Sequence, residues 1–72
     1  MFKSVKYFDQ WLKIPKHHKF IAKDHSGDLY SYADKPQYDT EFDLWYSDLD
    51  SEFLCVDKSE LEWFNSLVEV SN

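Results

Sequence analysis

The sequence predicts a small α+β domain: an antiparallel sheet of three to four strands with an N-terminal and a C-terminal helix. Three observations predict it. Val5, Phe8 and Leu12 recur at helical spacing near the start, and two β-prone runs flank the only glycine, Gly27. Near the end, Ser59-Glu60-Leu61-Glu62 has the form of a capping box, with Leu61, Phe64 and Leu67 or Val68 as the stripe behind it. Each such element has one apolar side, and layering helices on a sheet buries them all.

In chain order, the first helix spans Ser4 to Lys13, with Ser4 as cap and Trp11 beside the apolar stripe. Pro15 disfavours helical geometry at Ile14 and ends it. A rival reading makes Lys3 to Tyr7 a short strand, leaving a turn of helix from Asp9. Lys19 to Asp24 and Asp28 to Ala33 then read as a hairpin around His25-Ser26-Gly27, because glycine takes positive φ at little cost. Strand alternation puts Tyr30 and Tyr32 on one face and Leu29 and Ser31 on the other.

Thr40 to Tyr46 reads as a third strand, Phe42 and Leu44 inward, Glu41 and Asp43 outward. Ser51 to Val56 reads as a fourth, after the turn-prone Ser47-Asp48-Leu49-Asp50. The C-terminal helix runs from the capping box to about Val68.

The 72 residues make one domain, 1–72, and a chain this short buries only about 60% of the surface its unfolded form exposes. Three Trp, five Tyr and six Phe are more rings than so small a core can hide. Some lie on the surface or meet a partner.

Charge is divided along the chain: six lysines and one acid through Lys23, two lysines and thirteen acids from Asp24 onward. The part from Gln37 to Asp57 has no lysine at all. There is no arginine, so the planar fork that reads guanine edges and phosphates is missing. With a net charge of −6, this argues against direct nucleic-acid binding. Cys55 is the single cysteine, which suits a reducing compartment, the cytoplasm by default. No apolar run reaches the ~20 residues of a membrane helix.

The stretch Phe20-Ile-Ala-Lys-Asp24-His-Ser-Gly27-Asp-Leu-Tyr30-Ser-Tyr32-Ala-Asp-Lys35-Pro36, followed by Trp45, resembles a hairpin of small accessory proteins of tailed bacteriophages. The likeness covers about residues 19–46 and brings no catalytic residues. It implies a protein made in the host cytoplasm early in infection that inhibits a host enzyme or defence system.

The residues offer little catalytic chemistry. His17, His18, His25 and Cys55 lack the paired spacing of structural zinc, and adjacent histidines point apart on a regular element. Asp48-x-Asp50-x-Glu52 begins like a calcium loop, but Phe53 and Ser59 stand where the turn glycine and bidentate glutamate belong. Asp24, His25 and Ser26 are turn neighbours, which is not how a triad assembles. One glycine cannot build a phosphate cradle. The expectation is no enzyme, no cofactor and no metal.

Recognition remains. In a strand, Glu41 and Asp43 lie about 6.6 Å apart at about 3.3 Å per residue, and Asp48, Asp50 and Glu52 repeat the interval if extended. With Asp39, such a row presents a potential like that of a nucleic-acid backbone; Tyr38, Trp45 and Tyr46 supply anchors. One expectation is therefore an inhibitor that fills the basic, nucleic-acid-facing groove of a host or defence protein. The other is a structural adaptor or homodimer held by surplus rings and a sheet edge, its acids serving solubility and discouraging edge-to-edge aggregation.

Overall fold

Alternation, not helical spacing, organises the N-terminal fifteen residues in the computed structural model, which describes residues 1–70. Strands β1 (Phe2–Tyr7) and β2 (Gln10–Pro15) form an antiparallel hairpin with Val5 opposite Leu12 and Lys6 opposite Trp11. The expected N-terminal helix is therefore corrected to a hairpin, and the rival strand at Lys3–Tyr7 lies within β1. The reason is visible in burial: Val5, Tyr7 and Ile14 are in the core, whereas Phe8 of the supposed stripe and Trp11 beside it are 52% and 68% exposed. A ten-residue helix is marginal alone, and β-branched and aromatic side chains favour the pleated alternative. Phe8 bears the cost, at φ +52 in the two-residue turn.

Strands β3 (Phe20–Lys23) and β4 (Asp28–Tyr32) are the expected hairpin. Its turn closes with the Gly27 N–H donating to the Asp24 carbonyl at 3.0 Å, Gly27 standing at φ +98. Ile21 and Leu29 are fully buried on the face toward the first hairpin.

After β5 (Gln37–Asp39) and β6 (Leu44–Tyr46), β7 (Ser51–Val56) occupies the span read as the fourth strand. It pairs with β4 through a bulge opposite Leu29 and Tyr30. The last strand among the described residues, β8 (Val68–Glu69), pairs with β3, giving the four-stranded antiparallel order β7-β4-β3-β8.

The span read as one strand from Thr40 to Tyr46 is instead the turn and second arm of the β5–β6 hairpin. Asp39 Oδ1 accepts from the Glu41 and Phe42 N–H groups at 2.9 and 3.2 Å, and Asp43 takes φ +55. Asp is suited to both tasks, since its short side chain closes local turns and tolerates the left-handed region.

The expected C-terminal helix is also corrected. Among the described residues the only helical piece is a single 3-10 turn, Trp63–Asn65. Ser59 does not cap it: its hydroxyl donates to Asp57 at 2.5 Å, and Glu62 is extended. Beyond the turn, Val68 and Val70 serve the sheet, the Val70 N–H donating to the Lys19 carbonyl at 2.7 Å. A helix here would leave β3 with an unpaired, buried edge, and that cost outweighs a favourable cap. The α+β assignment thus gives way to an all-β fold with no N- or C-terminal helix among the described residues.

The core lies between the first hairpin and the sheet: Val5, Tyr7, Ile14, Ile21, Leu29 and Val70, edged by Leu12, Leu54, Cys55, Leu61 and Val68. Buried polar groups within it are paired. The Tyr7 hydroxyl donates to the Ser66 carbonyl at 2.6 Å, and Ser66 Oγ accepts from the Lys23 N–H at 2.8 Å.

Candidate functional site

The segment from Gln37 to Asp57 carries the exposed surface of interest, and its geometry begins with the β5–β6 hairpin. Tyr38 stacks on Trp63, centroids 4.9 Å apart and planes at 11°, and meets Trp45 edge-on at 5.4 Å. Trp45 Nε1 donates to the Trp63 carbonyl at 3.1 Å. Two of the three expected anchors are thus spent largely on holding the hairpin to the 3-10 turn. Tyr38 and Tyr46 nonetheless keep similar exposure, 40% and 43%. Trp63 completes this cluster, and no spacing rule links it to Tyr38 or Trp45 across 18 or more residues.

The six carboxylates do not form one ladder. Asp39 is occupied in its turn, while Glu41 and Asp43 stand in the connection 40–43, not in a strand. Asp48 and Asp50 precede β7, so Glu52 alone of that series is in a strand, opposite Ser31 of β4. Asp50 pairs with His17 at 2.9 Å. Glu41, Asp43, Asp48 and Glu52 are all exposed.

Apolar side chains stand among them. Phe42, Leu49 and Phe53 are 66%, 59% and 52% exposed, with Tyr38 and Tyr46 beside them in the chain. Exposed rings within a charged surround have the anatomy of an interface, because desolvated apolar anchors supply affinity and the rim supplies direction.

Enclosed chemistry is scarce. The hollow lined by Tyr7, Phe8, Gln10, Asp57, Ser59 and Leu61 has a volume of about 280 Å³ and is open to solvent. Burial pushes the Tyr7 and Tyr32 hydroxyls up to about 12. Burial, and then the charge of Asp57, push the Cys55 thiol up as well, which makes it a poor nucleophile at neutral pH.

Lys23 is the buried cation. Its Nζ donates to the carbonyls of Ser59 and Leu61 at 3.1 and 2.8 Å and pairs with Asp57 at 3.1 Å. Desolvation alone would raise Asp57, but hydrogen bonds from Ser59 and Lys23 outweigh it and hold the carboxyl below its ordinary value. This network fixes the 57–61 loop to the end of β3.

Among the described residues one group of possible metal ligands lies together: His17, His18 and Asp50, ligand atoms within 4.8 Å of one another. The expectation that adjacent histidines diverge holds for regular elements, but these two occupy the turn between β2 and β3. Their rings stand 4.5 Å apart.

No helix among the described residues is long and apolar enough to cross a membrane. No known protein family, curated protein or solved structure matches this chain.

Proposed function

We propose that this protein is a recognition module that docks its acidic 37–57 segment on a basic surface of a partner protein and thereby blocks it. One observation carries the reading: Phe42, Leu49 and Phe53 are exposed within a segment that has seven acids and no lysine. The carboxylates steer encounter with a basic groove of the kind that holds nucleic acid, and the apolar groups hold the complex once water is expelled. The resemblance to phage accessory proteins agrees with an inhibitory role in the host cytoplasm, where the Cys55 thiol stays reduced.

Capture from a bacterial lysate at two salt concentrations tests it. The wild type is expected to retain a basic partner at low salt and lose it at high salt, as screened surface charges require. Retention that is equal at both concentrations overturns the charge model.

A second reading rests on the outer face of the first hairpin. Lys6 faces Trp11 across β1–β2, Ser4 faces Lys13, and Trp11 is exposed, so this hairpin presents a basic, aromatic outer face. That face is complementary in charge to the acidic segment of a second copy. Sedimentation decides: a salt-sensitive oligomer of the pure protein supports self-association, and a monomer at all concentrations removes it.

A further inference from the structure

We propose that His17, His18 and Asp50 form a binding site for a divalent first-row transition ion, with zinc as the reference metal. The inference stands on its own geometry and not on the docking reading. The two histidines come from the β2–β3 connection and Asp50 from the segment before β7, 33 residues from His17. Folding alone brings them together. Their donor set, two imidazoles and one carboxylate, is that of zinc and related ions, and three protein ligands leave a position for water.

The arrangement has the two features a site of this kind needs. The first is an oriented, buried ligand. His18 is only 1% exposed, and its Nδ1 lies 2.6 Å from the Ser31 hydroxyl on β4. When Nδ1–H donates to Ser31, Nε2 keeps its lone pair for the metal, and the hydrogen bond fixes the ring as an outer-shell partner does for a ligating histidine. Burial, and after it the His17 ring, push His18 below the ordinary histidine value; Lys3 acts the same way, while Asp50 and Glu52 oppose.

The second feature is mobility in the remaining ligands. His17 Nε2 and Asp50 Oδ2 lie 2.9 Å apart, with side chains 61% and 70% exposed. An ion with ligands at about 2.0–2.2 Å holds neighbouring donor atoms about 3.3 Å apart in a tetrahedron. The group, within 4.8 Å overall, reaches that spacing by rotating His17 and Asp50 about their side chains. The ion takes the place of the proton now shared between them. Glu52, whose charge acts on His18, adds to the attraction for a cation.

The experiment is a zinc titration of the purified full chain against a chromophoric chelator, repeated with cobalt for its visible absorption. The wild type is expected to bind one ion. His17→Ala and Asp50→Asn, both at exposed positions, are each expected to weaken binding at least about ten-fold, the scale for removing ligand-shell groups. His25→Ala, outside the group, is expected to change nothing. Circular dichroism confirms that each variant keeps the wild-type fold, and zinc is expected to raise the melting temperature of the wild type but not of Asp50→Asn. Failure to bind one ion, or binding that survives either His17→Ala or Asp50→Asn unchanged, overturns the site and leaves His17–Asp50 as an ion pair only.

Discussion

Gly27 and Lys23 show how much of this small fold rests on single side chains. At φ +98, with the Asp57 carbonyl oxygen 3.3 Å from where a Cβ would stand, position 27 admits only glycine without strain. Gly27→Ala is expected to cost about 1–2 kcal/mol, read as a lower denaturant midpoint with unchanged slope; an unchanged midpoint contradicts the turn as described. Lys23 is a buried cation whose partners are a carboxylate and two carbonyls. Removing it strands Asp57, and breaking a buried pair costs about 3–5 kcal/mol, so Lys23→Met is expected to unfold the domain or nearly so. The same pair sets an acid limit. Because the Asp57 carboxyl is held below its ordinary value, its contribution is complete above that value and is lost as pH falls through the folded-state one. His18, also depressed, begins to subtract earlier, as pH drops below the ordinary histidine value, since the unfolded chain then binds the proton more readily. Stability measured against pH should therefore fall in two stages on acidification, and Asp57→Asn should flatten the lower one.

Among the elements, those legible in the sequence were the ones whose local chemistry and tertiary role agree. The β3–β4 hairpin follows from Gly27 between two β-prone runs, and β7 from the apolar run Phe53-Leu-Cys-Val56 after a turn. The helices failed because two patterns were ambiguous. Val5 and Leu12 fit a helix stripe, yet they also face each other across a two-residue turn, and only the buried sheet decides between the two. Ser59 and Glu62 fit a capping box, yet β3 needs the segment beyond them as a strand. The β5–β6 hairpin is the least anchored element. Two strands alone are marginal in water, and this pair is held to the rest through Tyr38 and Trp45 on Trp63. Trp63→Ala is expected to leave the molecule folded while amide exchange across residues 37–46 accelerates well beyond that of β3 and β4. Uniform exchange across all strands would contradict this.

For the whole molecule, the division of charge read from the sequence becomes a division of surface. Lys6 and Lys13 lie on the outer face of the β1–β2 hairpin with Trp11, and the 37–57 segment carries seven acids together with exposed Phe42, Leu49 and Phe53. The sequence could name that segment but not its shape, because the acids fall in turns whose course depends on Trp63, far along the chain. Separation along the chain likewise hid the grouping of His17 and His18 with Asp50, 33 residues from His17. A docking surface built this way should work by steering, with charge acting before contact and apolar groups after it. The most direct measurement is the association rate of the captured partner across a range of ionic strength, for the wild type and for the combined variant Glu41→Gln, Asp43→Asn, Asp48→Asn, Glu52→Gln. The wild-type rate is predicted to fall ten-fold or more from low to high salt, on the scale of electrostatic steering, with the amide variant slow throughout and nearly salt-independent. Equal rates for the two proteins, with the same slope against salt, would contradict the account.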